Sequence, residues 1–389
     1  MPSAASGYRS LLRIPGAAAF FLTAAVGRIG LAMTGLGLVW LLHARTGSYG
    51  AAGLATAGFS LAEALIGPNL ARLIDRFGQT RVLPFCLLAH GVAIAGVLAS
   101  TTPATAIASA TCAGAAVPQL GACSGARWTH LLRGQRADEL PTAFSLESLA
   151  NATAFLLGPV LVTTLGAAGD AAVASAIAAA LILGGGAALA VQRRTAPPPV
   201  HGHPVQSHPK DSLLRPEFLR LALLNLAIGL YFGTMGVSVS AFATQHGVPD
   251  AAAPIIAAAS LSGLCSGWFY GLRRHHAPAR RQLVIAAAYL TGTALLLPFA
   301  PSAIWLGAAV ILTEAAVPPT LVLLNVLTEN SVHPTVLTQA FTWNNSASAA
   351  GSALAAFLAG RVADALGASA AFAVAPAAGL ALLALATSA

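Results

Sequence analysis

The chain has 389 residues, of which 57% are hydrophobic and only 8% are charged, and its mean hydropathy is +0.76. A soluble protein carries roughly 25% charged residues, so this chain has too few charges to cover a surface facing water and is predicted to be an integral membrane protein. The net charge of +8 does not indicate nucleic-acid binding, because the basic residues lie between hydrophobic segments, where membrane topology explains them.

Apolar segments long enough to cross a bilayer, which takes roughly 20 residues, recur along the whole chain. The first is too long to be a signal peptide. We number the predicted segments spans one to twelve. They cover residues 17–42, 51–70, 82–100, 104–125, 143–165, 171–191, 219–242, 251–270, 283–299, 304–325, 340–358 and 370–386.

The basic residues are distributed asymmetrically among the predicted loops. An even number of spans places both termini on one side of the membrane, and most of the 20 lysines and arginines lie in the loops of that side. Only Arg45 and Arg361 lie in loops of the other side, and Arg28 lies within span one. Because basic loops remain in the cytoplasm, we expect a multi-pass protein of the cell membrane with both termini cytoplasmic.

A polar interval rich in proline and histidine separates spans six and seven. It predicts a cytoplasmic linker at residues 192–216 between an N-terminal half, residues 1–191, and a C-terminal half, residues 217–389. The linker histidines have no cysteine or carboxylate nearby to complete a metal site, so we interpret the segment as solvated and expect no metal and no cofactor. These histidines are His201, His203 and His208.

Short matches between the halves indicate an internal repeat. AAVP at residues 115–118 recurs at residues 315–318, and TAFSLES at residues 142–148 aligns with QAFTWNN at residues 339–345. Together with the linker at the middle of the chain, this repeat favours two related halves of six helices each.

Charge is concentrated in ARLIDRFGQTR, residues 71–81, between spans two and three. This segment resembles the cytoplasmic motif G-x-x-x-D-R/K-x-G-R/K-R/K of the major facilitator superfamily, which lies in the same loop. Asp75, Arg76 and Gly78 match the motif, and Arg81 follows one residue after the position of the basic pair. Ala71 replaces the first glycine, and Gln79 and Thr80 replace the basic pair.

The resemblance implies an all-α membrane fold of twelve helices in two pseudo-symmetric halves. It also implies that the motif is a latch for the outward-facing state, in which Asp75 binds the N-terminus of a helix in the other half. Such a carboxylate gains roughly 0.3–1 kcal/mol from the helix dipole. Gly78 permits a tight turn, and Arg76 and Arg81 can contact anionic lipid headgroups.

Two other signatures of the superfamily are incomplete. Its fourth helix often carries an arginine linked to proton coupling, but residues 104–125 contain no charge. The fifth helix of its exporters carries a glycine series ending in Gly-Pro, of which Gly158 and Pro159 remain, with Ala154 at the preceding glycine position. The resemblance therefore leaves the coupling ion and the transport direction open.

Three ionisable residues lie in the middle of predicted spans, where a charge is costly and therefore indicates function. Arg28 of span one and Glu63 of span two lie at similar depth, roughly 20 Å from the membrane surface at 1.5 Å per residue. They form either a structural ion pair or a substrate or proton site. Glu314 of span ten has no cation at its depth in its own half, so it is protonated, exposed to water or paired with Arg28. It is our best candidate for proton or cation coupling.

Other polar residues in the spans extend the set of candidates for a central site. Each could instead hydrogen-bond between helices. The set comprises Glu147, Asn151 and Asn344, with Glu147 and Asn344 equivalent in the repeat, and further Gln119, Asn225 and Asn345. In span ten, Pro318 and Pro319 predict a kink close to Glu314.

These features predict a secondary transporter that works by alternating access, most simply a monomer that exports a small, partly apolar molecule with proton coupling. Uptake or export of a sugar-like or amino-acid-like solute is the alternative. The chain has no P-loop for direct use of ATP. A membrane-embedded enzyme is disfavoured because His275 and His276 have no acidic partner, and a receptor or scaffold would not need charges within the membrane.

Overall fold

A computed structural model describes residues 5–200, 212–273 and 275–388. Among these residues, twelve helical segments are long and apolar enough to cross a membrane, which confirms the predicted count. In chain order, spans one to twelve are Ala17–Thr46, Tyr49–Phe77, Gln79–Ala99, Pro103–Leu132, Ala137–Gly166, Ala171–Ala190, Pro216–Gln245, Pro249–Leu272, Ala279–Phe299, Ala303–Ser331, Pro334–Leu366 and Ala368–Thr387.

Some spans are composed of more than one helix. Span four consists of helices Pro103–Ala115 and Leu120–Leu132, span ten of Ala303–Glu314 and Val317–Ser331, and span twelve of Ala368–Ala371 and Val374–Thr387. The main helices of spans five, eight, nine and eleven are Leu140–Ala167, Ala252–Leu272, Ala279–Ala294 and Leu337–Leu366, each with a short 3-10 turn at one end. A helix that hydropathy did not predict, Ala5–Leu12, precedes span one.

The interruptions of spans four and ten fall at the repeated AAVP segments. A proline in a helix leaves the carbonyl four residues earlier without its usual donor. In span ten, the carbonyl of Ala315, which Pro319 cannot bond, accepts a hydrogen bond from Ser266 Oγ of span eight. The neighbouring carbonyl of Ile311 accepts one from Ser262 Oγ at 2.7 Å. Span eight therefore satisfies the backbone that the break in span ten exposes.

Close helix crossings hold each half together. In the N-terminal half, Gly158 of span five lies against Ala32 of span one so closely that a Cβ at Gly158 would be 2.8 Å from the Ala32 Cβ. In the C-terminal half, Cβ atoms at Gly229 and Gly233 of span seven would collide with backbone carbonyls of span eleven. Such small residues allow backbones to approach closely within a membrane.

The two halves meet at the end of the bundle that carries the arginine-rich loops, which we call the basic face. There span two lies against span eleven, and span five lies against span eight. Five hydrogen bonds that join residues 5–200 to residues 212–388 lie at this face. They join the ends of helices rather than their middles.

The first residues after span six fold back onto the basic face of the N-terminal half. Thr195 is buried, and the backbone N–H of Val200 donates to the carbonyl of Asp75 at 3.3 Å. The three linker histidines discussed above lie outside the described residues.

Candidate functional site

Asp75 lies in the last turn of span two, and its carboxylate binds the first turn of the helix of span eleven. Oδ1 accepts the backbone N–H of Thr338 at 3.3 Å, and Oδ2 accepts that of Gln339 at 2.9 Å. The first N–H groups of a helix have no partner within the helix, and the helix dipole favours an anion at this end. We call this contact the Asp75 latch. It joins the N-terminal half to the C-terminal half.

Gly78 separates spans two and three and has a backbone φ of 94°, a conformation that other residues rarely adopt. This turn aims the end of span two at span eleven. The motif arginines Arg76 and Arg81 are exposed, and the Arg76 guanidinium lies 5.2 Å from the centre of the Phe77 ring. Exposure at the basic face leaves both side chains available to contact lipid headgroups.

Gln79, which replaces the first residue of the basic pair, is buried and binds Arg127. Gln79 Oε1 accepts from Arg127 Nε at 2.7 Å, and Gln79 Nε2 donates to the carbonyl of Cys123 at 3.1 Å. Arg127 also donates to the carbonyls of Leu189 and Gln192 and to Thr195 Oγ1, at 2.8–3.0 Å. The guanidinium therefore fixes the motif loop to spans four and six.

The position of Arg127 corrects two expectations. The sequence placed it in a loop and left span four without a charge, whereas span four continues to Leu132 and includes it. The apolar segment ends at residue 125, but the helix continues because Arg127 finds acceptors inside the protein. Its bonds are made at the basic face, so it is a structural arginine rather than one at the membrane midplane.

Arg28 forms its ion pair with Glu147 of span five and not with Glu63 or Glu314. Arg28 Nη2 lies 2.6 Å from Glu147 Oε2, and both side chains are buried. Glu147 Oε1 accepts from Ser124 Oγ at 2.6 Å and from Trp128 Nε1 at 2.8 Å. The expected partner was wrong because similar depth does not make two side chains face each other. Here spans one and five bring the charges together.

Glu63 is half-buried in span two, and no hydrogen bond or ion pair to it occurs within the part of the chain that the structure describes. A carboxylate in this position is a default candidate for binding a proton or a cationic group.

Glu314 ends the first helix of span ten, directly before the break, and its Oε1 accepts a hydrogen bond from the Tyr231 hydroxyl of span seven at 3.1 Å. Tyr231 is completely buried. No arginine or lysine pairs with Glu314 among the described residues. The sequence signal for Tyr231 was a single tyrosine within an apolar span, which is too weak to identify it.

The neutral candidates differ in their surroundings. Asn344 is buried and donates to Thr328 Oγ1 at 2.7 Å, whereas Asn151 is exposed. Asn225 and Gln119 donate to backbone carbonyls close in sequence. Asn225 and Gln119 therefore have packing roles. Asn151 and Asn345, which are both exposed, and the unpartnered Oδ1 of Asn344 are left as the neutral groups open to a ligand.

A second set of contacts between the halves involves Tyr8, which hydropathy did not indicate. Tyr8 lies in helix Ala5–Leu12 and is only 4% exposed. Its hydroxyl donates to the carbonyls of Trp268 at 3.0 Å and Gly267 at 3.4 Å, both in span eight. Thr142 Oγ1 of span five donates to the carbonyl of Gly271 at 3.0 Å. The buried positions of Tyr8 and Leu11 beside exposed Arg9 form an amphipathic pattern that could have identified the helix.

No group of three or more histidine, cysteine, aspartate or glutamate side chains able to hold a metal ion occurs in residues 5–200, 212–273 and 275–388. No curated protein is similar enough in sequence to count as a relative.

Solved transporter structures share the fold. The human organic anion transporter MFSD10 is 18% identical, with a TM-score of 0.72 over 95% of this chain and 98% of that chain. A bacterial homologue of the iron transporter ferroportin is 13% identical, with a TM-score of 0.76 over 95% and 98%. The E. coli fucose:proton symporter FucP is 12% identical, with a TM-score of 0.75 over 96% and 98%. At these identities the likeness concerns the fold alone.

The family model of the Major Facilitator Superfamily matches residues 20–356, which is most of the chain. This match agrees with the twelve spans and with the resemblance of the segment around Asp75. The protein therefore belongs to the major facilitator superfamily of membrane transporters.

Proposed function

We propose that this transporter exports a small, partly apolar molecule across the cell membrane in exchange for protons. The observation that carries the proposal is the charge balance of the spans. Arg28 is neutralised by Glu147, whereas Glu63 in one half and Glu314 in the other have no cationic partner within the described residues. Each can bind a proton or a cationic group. Because the two residues belong to different halves, they move relative to each other when the halves rock during alternating access.

In this proposal the basic face is cytoplasmic, as are both termini, and the present conformation is outward-facing. The Asp75 latch supports it, because a carboxylate on the first turn of span eleven holds the halves together at the basic face. The ferroportin homologue of similar fold was solved in an outward-facing state. Transport then requires the latch to break so that the basic face can open.

The neutral surroundings of the candidates favour a substrate with an apolar part. The exposed amides Asn151 and Asn345 are the neutral candidates for binding it, and a sugar site would need more such groups. Export of a sugar-like or amino-acid-like solute, or uptake of one, stays the alternative, since a fucose:proton symporter has the same fold. We expect no cofactor and a monomer surrounded by membrane lipids.

Accumulation of a labelled panel of amines, neutral aromatic compounds, sugars and amino acids in expressing cells tests this function. We expect wild-type cells to retain less of at least one amine or aromatic compound than vector controls, and a protonophore to abolish the difference. Glu63→Gln and Glu314→Gln should each abolish proton-driven export. Glu139→Gln is the matched control, because Glu139 pairs with Arg136 on the surface of the basic face.

The outcomes separate the parts of the proposal. Higher accumulation in wild-type cells would reverse the direction, and export that resists the protonophore would overturn proton coupling. Full coupling in both Glu63→Gln and Glu314→Gln would show that neither carboxylate carries the proton.

A further inference from the structure

The last turn of span eight is bound by two hydroxyl groups from the N-terminal half. Tyr8 donates to the carbonyls of Gly267 and Trp268, and Thr142 donates to that of Gly271. Gly271 is one of the last four residues of the helix, whose carbonyls have no donor within it, and this end also carries the negative end of the dipole, so it favours hydrogen-bond donors. The Tyr8 ring also packs on Trp268, with ring centres 4.7 Å apart.

Helix Ala5–Leu12 lies between the two halves, and residues other than Tyr8 attach it to the N-terminal half. Leu11 is completely buried, and Ser10 Oγ accepts a hydrogen bond from Arg136 Nη2 at 3.1 Å. The helix also contacts spans one and five, and on its other side it contacts span eight. Span one follows this helix directly in the chain, so when the halves separate at the basic face we expect the helix to stay with the N-terminal half and Tyr8 to leave span eight.

The internal repeat relates this contact to the Asp75 latch. Thr142 and Gln339 are equivalent positions at the starts of spans five and eleven. Gln339 offers its backbone N–H to Asp75 at the end of span two, and Thr142 offers its hydroxyl to Gly271 at the end of span eight. The loop after span eight has no acidic residue to repeat Asp75.

We propose that Tyr8 and Thr142 form a second latch, at the position where the repeat lacks a carboxylate, which stabilises the closed basic face and releases in each transport cycle. The inference rests on the alternating access proposed above. The two latches bind with opposite polarity, a carboxylate to a helix N-terminus and hydroxyl donors to a helix C-terminus.

The surroundings of Tyr8 suit a contact of this kind. Burial raises the pKa of Tyr8 to about 12, although a hydrogen bond with Ser145 opposes the shift, so the hydroxyl stays a neutral donor at physiological pH. Gly271 leaves the space that Tyr8 needs, because a Cβ at this position would collide with the Tyr8 hydroxyl and with Ser145.

Electron–electron distance measurements between spin labels on the basic face test the second latch. Labels at Arg133→Cys and Arg281→Cys report on the separation of the halves, since both side chains are exposed and lie in different halves. The full-length protein in lipid nanodiscs is used, with native Cys86, Cys112, Cys123 and Cys265 replaced by alanine. The variants are Tyr8→Phe, which keeps the ring, Thr142→Val, which keeps the shape, and Asp75→Asn.

We expect Tyr8→Phe and Thr142→Val each to raise the ratio of open to closed basic face about fivefold, as loss of one net hydrogen bond implies. Tyr8→Phe combined with Asp75→Asn should multiply the two effects, because the latches hold different helices. Ser10→Ala is the matched control on the same helix. Its hydroxyl accepts from Arg136 of the N-terminal half, and no bond to residues 212–273 or 275–388 occurs, so it should leave the ratio unchanged.

The results distinguish the second latch from the function on which it rests. Unchanged distances in Tyr8→Phe and Thr142→Val, with longer distances in Asp75→Asn, would overturn the second latch and leave alternating access intact. A shift in Ser10→Ala as large as that in Tyr8→Phe would also overturn it, by attributing the effect to folding of the helix. Unchanged distances in every variant would overturn both latches, whereas loss of transport in the accumulation assay is the result that would overturn the proposed function itself.

Discussion

The ion pair of Arg28 and Glu147 is held by more than the attraction of its charges. Both oxygens of Glu147 accept hydrogen bonds, from Arg28 on one side and from Ser124 and Trp128 on the other. Additional hydrogen bonds offset the cost of burying an ion pair, and removal of one partner leaves a buried charge. The pair therefore fixes spans one, four and five of the N-terminal half to one another.

Glu147→Gln should destabilise the protein strongly, because it leaves the Arg28 guanidinium without a counter-charge. We expect a loss of about 3–5 kcal/mol in unfolding free energy. The midpoint of unfolding in mixed micelles of mild detergent and dodecyl sulfate measures it. Glu63→Gln makes the same chemical change at a carboxylate with no ion pair in the described chain. Equal midpoints for the two variants would contradict a structural role for Glu147.

Arg127→Lys should also lower stability, although it keeps the charge. The guanidinium donates to four acceptors in different directions, and an ammonium group cannot reach them all. Each lost bond contributes about 1 kcal/mol, so we expect a decrease of roughly 2–3 kcal/mol in the same unfolding assay. Arg133→Lys is the control at an exposed arginine of the same face. An Arg127→Lys variant with the same unfolding free energy as the wild type would show that charge alone matters at this position.

Sequence reasoning predicted some residue contacts at the site and missed others for identifiable reasons. The contact of Asp75 with a helix of the other half was predicted from a short motif, because the residues of that motif are close together in the sequence. The partner of Arg28 was not predicted, because counting residues gives depth in the membrane but not the rotation of each helix about its axis. The contacts of Tyr231 and Tyr8 were not predicted, because a single tyrosine forms no sequence pattern that identifies its partner.

At the scale of helices, spans seven and eleven of the C-terminal half cross with their backbones in close contact. Cβ atoms at Gly229 and Gly233 would collide with the carbonyls of Ser348 and Ser352, and one at Gly351 with the carbonyl of Leu226. Glycines on both helices thus bring the two backbones into contact. Dispersion across such a contact drives helix association in lipid, where hydrophobic driving force is absent.

Gly233→Ala should force spans seven and eleven apart. We expect it to cost at least about 1–3 kcal/mol, the usual effect of overpacking, measured as a lower midpoint of thermal unfolding in detergent. Gly236→Ala is the matched control in the same helix, where a Cβ would meet no atom within 4 Å. Alanine there should be neutral or slightly stabilising, since it favours the helix by up to about 1 kcal/mol. Similar midpoints for both variants would contradict the close crossing.

The helix breaks were only partly predictable. Two adjacent prolines in span ten predicted a kink, and the helix is interrupted directly before them, at residues 315 and 316. In span four a single proline marks a break at residues 116–119 that was not predicted. A single proline is compatible with a continuous helix, as Pro68 and Pro159 are here. The local sequence therefore does not distinguish a break from a bend.

For the whole molecule, the arginine distribution predicts which face is cytoplasmic. In intact cells, a membrane-impermeant maleimide should label Tyr49→Cys and should not label Arg133→Cys until the membrane is permeabilised. Tyr49 is 70% exposed at the opposite face, and Arg133 is exposed at the basic face. Labelling in the reverse order would invert the proposed orientation, and with it the outward-facing assignment.

The twelve spans were predictable from hydropathy because each must present apolar side chains to lipid along its whole length. Their ends were less predictable, since helices such as span four continue past the apolar segment into polar surroundings. Helix Ala5–Leu12 has too few residues to cross a membrane, so hydropathy gave no signal for it.

The close crossing of spans seven and eleven has a mechanical consequence. Tyr231, whose hydroxyl touches Glu314, stands between Gly229 and Gly233, the two points where span seven rests on the backbone of span eleven. Asp75 accepts a hydrogen bond from the first turn of the same span eleven. We therefore expect spans seven and eleven to move as one rigid unit. Asp75 holds this unit at one end, and Tyr231 contacts Glu314 near its middle. We therefore expect any movement of span eleven against span ten that accompanies release of Asp75 to displace Tyr231 from Glu314, which would link the latch to the protonation of this acid.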